Sequence, residues 1–169
     1  MLSKTLANLA MIAHTASVFA NTYRERIVLA MILNTEIRQA LTSGHLAHLV
    51  TLNSDGSPQV TLVWVGLDGD EIVCAHLPLR QKVKNIQKDA RVALSMETGG
   101  KTGFLDNYLV ITGRARITEG GAPELLHQLA QVYVGPGTKF PAENSPPGYI
   151  THITVEHIGG FGPWSEQHH

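Results

Sequence analysis

Short stretches of alternating apolar and polar residues dominate the chain after residue 31. Stretches of this kind, separated by glycine, proline and aspartate, are typical of β-strands joined by turns. The pattern predicts six strands, over residues 45–52, 58–66, 71–76, 91–97, 108–117 and 149–158. Helical spacing of apolar residues predicts three helices, over residues 34–41, 82–88 and 122–134.

The segments between these elements predict how the strands are connected. Asp55-Gly56 lies between two apolar runs and indicates a tight hairpin. The glycine-rich stretch 99–103 and the Gly/Pro-rich stretch 136–147 are expected to be loops. Because most of the strands follow one another through hairpins, we expect a mainly β fold with short helices (α+β), built on a six-stranded antiparallel barrel.

The first thirty residues have a different character. Leucine, alanine and isoleucine recur there at helical spacing, and the stretch also faintly resembles a secretory signal. Asn8, His14 and Thr15 interrupt its apolar part, which favours a packed helical extension, or an upstream choice of start codon, over a cleaved signal. We therefore expect an extension over residues 1–30 and one domain over residues 31–169.

Composition narrows the class of protein. The 169 residues carry a formal charge of only −1, so a nucleic-acid binder that works through bulk positive charge is not expected. No apolar stretch is long enough to predict a membrane span. The single cysteine, Cys74, excludes an intrachain disulfide framework and is typical of a reducing, cytoplasmic compartment.

A basic cluster interrupts this balanced chain. Five of the thirteen Lys and Arg residues fall between residues 80 and 91: Arg80, Lys82, Lys84, Lys88 and Arg91. Arg80 and Lys82 lie at the predicted start of a helix, where unpaired N–H groups and the helix dipole already favour an anion. The cluster could be a phosphate site, or simply a solvated basic face of the helix.

The order of several short motifs resembles a known family. Residues 49–65 (LVTLNSDGSPQVTLVWV) are followed by a strand, by Arg80-x-Lys82-x-x-Asn85-Ile86 and by Asp89-x-Arg91-Val92-x-Leu94. This order resembles the split-barrel superfamily of pyridoxamine 5'-phosphate oxidase-like proteins, which bind FMN or the deazaflavin coenzyme F-420. The resemblance covers residues 31 to about 164. It implies a homodimer with the cofactor at the subunit interface and its phosphate on Arg80 and Lys82.

Two branches of that superfamily differ at the phosphate site. The FMN oxidases of pyridoxamine phosphate carry Ser-Arg-Lys, whereas this chain has Arg80-Gln81-Lys82. Those oxidases also end in an Arg-x-His pair, which residues 157–164 lack. The F-420 branch carries Arg-x-Lys-x-x-Asn-Leu, which the chain matches apart from Ile86. The resemblance thus favours F-420, with FMN as the alternative, and Lys84 and Lys88 would adjoin the anionic tail of F-420.

The same resemblance implies further contacts. The second strand would lie along the cofactor ring, while the end of the third strand would adjoin the phosphate. The family usually has a small hydroxyl residue at the end of the third strand, where this chain has Ala75-His76. Tyr108 and Trp164 would reach the ring from the partner subunit. The complete set of implied cofactor contacts is Gln59, Val60, Thr61, Leu62, Val63, Trp64, Ala75, His76, Arg80, Lys82, Lys84, Asn85, Tyr108 and Trp164.

The implied function is the transfer of a hydride from reduced F-420 to an unsaturated, apolar small molecule such as an enone, quinone or tetrapyrrole. The sequence identifies no catalytic residue, and solvent or Tyr108 is expected to deliver the proton. An FMN-dependent oxidoreductase, a non-catalytic cofactor- or haem-binding barrel and a docking surface for an acidic partner are the alternatives. No metal site is expected, since His45 and His48 would point to opposite faces of one strand.

Overall fold

The alternating segments form seven strands and three short helices in the computed structural model, which describes residues 33–165. In chain order the elements are α1 (Thr35–Leu41), β1 (Ala47–Leu52), β2 (Pro58–Val63), β3 (Gly66–Asp68), β4 (Glu71–His76), α2 (Gln81–Lys88), β5 (Arg91–Thr102), β6 (Leu105–Glu119), α3 (Ala122–Tyr133) and β7 (Tyr149–Phe161). The expected extension over residues 1–30 lies outside the described residues. Within residues 33–165, no helix is long and apolar enough to cross a membrane.

All the strands belong to one antiparallel sheet with the order β2-β1-β5-β6-β7-β4-β3. Its two end strands, β2 and β3, are nevertheless consecutive in the chain and are joined only by Trp64 and Val65. Three Cα–Cα steps span at most about 11 Å. The sheet must therefore curl until its two ends meet at one corner, as in a barrel.

The expectation of six strands was wrong, because the segment 58–66 divides into two strands. Val63 still pairs with Ala47 of β1, whereas Gly66–Asp68 pairs with β4 at the far end of the sheet order. The division falls at Val65, whose backbone N–H donates to the Tyr133 hydroxyl at 2.8 Å. The same hydroxyl lies 3.1 Å from the Val65 carbonyl oxygen. The Tyr133 side chain of α3 thus provides Val65 with the backbone hydrogen bonds that a neighbouring strand would otherwise make.

The glycine-rich stretch 99–103 is also not the loop that the sequence predicts. Strand β5 continues to Thr102 and β6 begins at Leu105, with a register irregularity between Glu97 and Lys101. Gly99 and Gly100 have positive φ angles of 70° and 74°, which a residue with a Cβ rarely adopts. An ion pair between Lys101 and Asp106 (2.8 Å) closes the end of this long hairpin.

The helices follow the sequence pattern closely. The Asn34 side chain caps α1 by accepting from the Ile37 N–H at 3.0 Å, as its position predicts. In α2, Val83 and Ile86 are buried, while Lys84 and Lys88 are exposed. The core that these helices cover consists of strand residues with almost no exposed surface, namely Leu49, Ile72, Leu94, Leu109, Ile111 and Ile153.

Candidate functional site

The start of α2 presents a buried cation. Arg80 is the N-cap residue, has an extended backbone and provides no side-chain cap. Among the described residues, the backbone N–H groups of Gln81 and Lys82 have no hydrogen-bond partner, whereas the Val83 N–H donates to the Arg80 carbonyl oxygen at 3.0 Å. Lys82, two residues on, is only 8% exposed. Its ammonium nitrogen lies 3.4 Å from the Thr61 hydroxyl oxygen of β2. No carboxylate pairs with Lys82 anywhere in the described part of the chain.

A buried ammonium without a counter-ion is costly. Burial lowers the pKa of Lys82, and the Arg80 guanidinium adds to this effect. An anion beside Lys82 would offset the cost of burying the charge. A depression of about 520 Å³ opens at this point and is lined by Gln59, Thr61, Leu62, Arg80, Gln81 and Lys82. We call it the entrance depression.

Asn85 connects α2 to the hairpin formed by β1 and β2. It is 2% exposed, and its amide nitrogen lies 2.9–3.1 Å from oxygen atoms of Thr51, Asn53 and Gln59. Its amide oxygen accepts from the Gln81 side chain at 2.8 Å. Because these protein contacts occupy both ends of the amide, the structure places Asn85 behind the entrance depression, where it holds the helix start against β2.

A second depression, of about 240 Å³, adjoins the first and is mostly apolar. Its lining consists of Leu46, Leu62, Val63, Trp64, Ala75, His76, Lys82, Leu126 and Phe140. Trp64 stacks on Tyr133, with ring centroids 5.2 Å apart, and meets the edge of Phe140 at 5.6 Å. We call this the ring depression. Aromatic neighbours on two sides fix the Trp64 side chain as one of its walls.

His76 is the buried polar group of the ring depression. Its Nε2 lies 3.2 Å from the Thr151 hydroxyl oxygen and 3.7 Å from the Cys74 sulfur. Burial, followed by the charges of Lys82 and Arg80, lowers the pKa of His76 to about 3. Burial likewise raises the pKa of the Cys74 thiol to about 11. At neutral pH the site therefore contains an uncharged imidazole and a protonated thiol.

A third and larger depression, of about 650 Å³, lies beyond Leu62. Its lining is His45, Leu46, His48, Leu62, Ser95, Met96, Glu97, Asp106, Asn107 and Tyr108, and we call it the cleft. His45 and His48 share it, contrary to the expectation that they point to opposite faces. The alternation rule does not apply to this pair, because β1 begins at Ala47 and His45 precedes it. Among the described residues, no group of three or more His, Cys, Asp or Glu is arranged to hold a metal ion.

Leu62 lines all three depressions, so together they form one trough along β2. Most of the cofactor contacts implied by the sequence line this trough: Gln59, Thr61, Leu62, Val63, Trp64, Ala75, His76, Arg80 and Lys82 in the first two depressions, and Tyr108 in the cleft. Four others are not among the lining residues. Val60 and Lys84 are exposed, Asn85 lies behind the trough and Trp164 is buried beside Gly162.

Leu126 and Phe140 complete the ring depression, and neither is among the cofactor contacts that the resemblance implies. They come from α3 and from the long segment that follows it, more than sixty residues from β2 along the chain. A hydrophobic residue on a helix is usually a core residue, so only the tertiary structure reveals that Leu126 reaches the trough.

The fold and the trough together define a class: an antiparallel barrel in which a basic helix start faces an apolar ring-sized depression. The family model for pyridoxamine 5'-phosphate oxidase matches residues 33–159, and the chain belongs to this family. No curated protein matches the chain in sequence.

Solved structures agree with this assignment. An F-420 reductase is 27% identical over 72% of this chain and 94% of its own, with a TM-score of 0.60. A conserved hypothetical protein, Rv2991 from Mycobacterium tuberculosis, is 24% identical over 76% of this chain and 83% of its own (TM-score 0.62), and so shows the fold alone. An FAD-binding protein from Mesorhizobium loti is 19% identical over 74% and 91% (TM-score 0.55) and likewise shows only the fold. The chain therefore has the fold of a flavin- or deazaflavin-binding oxidoreductase.

Proposed function

We propose that the chain is an F-420-dependent reductase that binds the cofactor phosphate at the start of α2. One observation carries the proposal: Lys82 is buried without a counter-ion beside Arg80 and the free N–H groups of the helix. A phosphate group would pair with both cations and accept from those N–H groups. The likeness to an F-420 reductase and the Arg-x-Lys-x-x-Asn motif support F-420 over FMN.

The rest of the trough fits the remaining parts of such a cofactor. The apolar ring depression, walled by Trp64 and Phe140, would hold a planar ring and exclude water from it. Thr61 would add a hydroxyl contact, and Asn85 keeps β2 and α2 at a fixed separation. Lys84 and Lys88, exposed on the outer face of α2, would adjoin an anionic tail.

When bound, the reduced deazaflavin supplies a hydride, and the protein supplies position and a dry environment. The acceptor would be an unsaturated small molecule that lies against Leu46 and Leu62, where the ring depression meets the cleft. Its apolar part would rest on these leucines. Tyr108, which lines the cleft, could deliver the accompanying proton.

We further propose that two copies of the chain enclose the trough. Val60 and Leu62 are 57% and 56% exposed on the end strand β2, and Tyr108 of the cleft is also exposed. Exposed apolar side chains along the rim of one trough are typical of a surface that a second subunit covers. This arrangement would leave the cofactor between the two subunits.

The proposal is tested by titrating the purified protein with F-420 and, separately, with FMN while following cofactor fluorescence. We expect micromolar or tighter binding of F-420 and at least tenfold weaker binding of FMN. The reverse order would favour an FMN oxidoreductase on the same fold. Oxidation of reduced F-420 with menadione as a probe acceptor then separates a reductase from a protein that only binds the cofactor.

A further inference from the structure

The cleft borders the glycine-rich bend of the β5–β6 hairpin, where two polar side chains come close to the backbone. A Cβ atom added to Gly99 would lie 3.1 Å from His45 Nε2, and one added to Gly100 would lie 3.4 Å from Asn107 Nδ2. Both His45 and Asn107 line the cleft. Residues with side chains at positions 99 and 100 would therefore crowd two nitrogen atoms of the cleft, and glycine at both positions avoids this.

Asn107 is a buried amide with one end unpaired. The residue is 8% exposed, and its amide oxygen accepts from the Thr102 hydroxyl at 2.8 Å. Its amide nitrogen makes no hydrogen bond to any residue that the structure describes. The amide nitrogen of Asn85, by contrast, has three oxygen neighbours. Because buried donors are rarely left without a partner in native proteins, the Asn107 amide nitrogen is available to a ligand in the cleft.

The carboxylates of the cleft determine which acceptor atom can pair with this donor. Asp106 is paired with Lys101 at 2.8 Å. Glu97 has no ion-pair partner within residues 33–165, and it lies directly opposite Tyr108 across β5 and β6. The Glu97 carboxylate repels a ligand carboxylate, sulfonate or phosphate group, but it does not repel the oxygen of an uncharged carbonyl group.

The apolar part of the lining suits the same kind of ligand. Leu46 and Leu62 line both the cleft and the ring depression, and they are 48% and 56% exposed. A cleft of about 650 Å³ has the size of an ordinary small-molecule site. A planar molecule that fills it has the two leucines beside its apolar part and the Asn107 amide within the same enclosure.

We infer that Asn107 is a specificity-determining residue whose amide nitrogen donates to a carbonyl oxygen of the hydride acceptor, while Glu97 rejects acceptors that carry a negative charge. Thr102, which holds the amide oxygen, is a positioning residue. The inference rests on the proposed function, because it concerns the acceptor of the same site. It narrows that acceptor to an uncharged carbonyl compound such as a quinone or an enone, and it disfavours a tetrapyrrole with free carboxylates.

Binding at Asn107 can be observed without turnover by following the side-chain amide signals of the ¹⁵N-labelled protein in NMR while menadione is added. The signals are assigned by triple-resonance experiments, and the titration is run on the cofactor-free protein and in the presence of F-420. We expect the Asn107 signals to shift and those of Asn85, whose amide is fully paired, to stay in place. Asn107 signals that move in neither titration would overturn the inference.

The donor role is tested by Asn107→Asp, which can still accept from the Thr102 hydroxyl but presents no N–H group to the cleft. With reduced F-420 as the hydride source, we expect the KM for menadione to rise about tenfold, while the affinity for F-420 stays within about twofold of the wild type. Thr102→Val should raise the same KM by a smaller factor, because the amide loses its support. A wild-type KM in Asn107→Asp would contradict the donor role.

The charge selection is tested by comparing menadione with 1,4-naphthoquinone-2-sulfonate. We expect the KM of the sulfonate to exceed that of menadione at least about tenfold in the wild type, and Glu97→Gln to reduce this ratio at least about threefold. Glu119→Gln, at an exposed glutamate outside the trough, should keep the wild-type ratio. Equal ratios in the wild type and Glu97→Gln would show that Glu97 does not select against charge.

These results separate the inference from the proposed function. A wild type that does not bind F-420 defeats the proposed function, and the Asn107 shift on adding menadione then decides by itself whether the cleft binds a carbonyl compound. A wild type that reduces menadione with F-420, without an Asn107 shift, defeats the inference and leaves the proposed function standing. If Asn107→Asp does not fold, the amide shift of the wild type decides the donor role.

Discussion

The ammonium nitrogen of Lys82 and the hydroxyl oxygen of Thr61 lie 3.4 Å apart and join the start of α2 to the end strand β2. At this length the hydrogen bond is weak, and it satisfies only one of the three ammonium protons. Burying the Lys82 ammonium group therefore lowers the stability of the cofactor-free protein, and a bound anion would offset this loss. Replacing a residue that serves cofactor binding should leave the free energy of unfolding unchanged or raise it, whereas replacing a residue that supports the fold should lower it.

Replacing Lys82 by Met should stabilise the cofactor-free protein. The pKa of Lys82 is lowered by burial, so at neutral pH the folded state carries a charge that the unfolded chain solvates better. Removing that charge should raise the free energy of unfolding by about 1–3 kcal/mol, measured by urea denaturation. Lys139→Met, at an exposed lysine, should change it by less than about 0.5 kcal/mol. A destabilised Lys82→Met would show that the ammonium is part of the fold.

Asn85 should show the opposite behaviour. Asn85→Ala removes the amide donor from the buried Thr51 oxygen and from the partly buried oxygens of Asn53 and Gln59, and we expect the free energy of unfolding to fall by about 1–3 kcal/mol. Gln81→Ala is the control, since it removes only the single bond from an exposed side chain to Asn85. Unchanged stability together with lost cofactor affinity would instead make Asn85 a direct ligand contact.

The Tyr133 hydroxyl should account for the break between β2 and β3. Tyr133→Phe keeps the ring that stacks on Trp64 but leaves the Val65 N–H without its partner at 2.8 Å. We expect a loss of about 1–2 kcal/mol in the free energy of unfolding, seen as a lower Tm in calorimetry. The near-ultraviolet circular dichroism of Trp64 should be preserved. A Tm equal to that of the wild type would mean that the linker is held by other contacts.

His76 should make the protein sensitive to acid. Its pKa falls from 6.5 to about 3 on folding, so the folded state excludes a proton that the unfolded chain binds. The stability that depends on an uncharged His76 is fully present above pH 6.5. It is lost as the pH falls toward 3, by an amount on the order of 5 kcal/mol. His76→Gln should flatten the fall in stability between pH 6.5 and 4, whereas His127→Gln, at an exposed position, should not. Equal slopes in the two variants would contradict this.

The sequence predicted the parts of the site that depend on local pattern. Helical periodicity placed Val83 and Ile86 inward and Lys84 outward, and it placed Arg80 and Lys82 at the start of the helix. Lys82 itself is buried, which periodicity alone would not suggest, because its charge marks it as a surface residue.

What the sequence missed depends on contacts between distant segments. The seventh strand arises because Tyr133 of α3 binds Val65, and the ring depression is completed by Leu126 and Phe140. The glycine-rich stretch 99–103 has the composition of a loop, yet most of it belongs to strand β5. Gly99 and Gly100 adopt positive φ angles at the point where the register between β5 and β6 shifts. None of these features has a signal in the spacing of nearby residues.

If Lys82 holds the cofactor phosphate, removing its ammonium group must weaken cofactor binding. We would therefore compare F-420 binding by the wild type, Lys82→Ala and Lys139→Ala in one fluorescence titration. Loss of a charge-assisted contact predicts that Lys82→Ala binds roughly 10- to 100-fold more weakly, while Lys139→Ala stays within about twofold of the wild type. Equal binding by the wild type and Lys82→Ala would contradict this role of Lys82, as would a wild type that does not bind F-420.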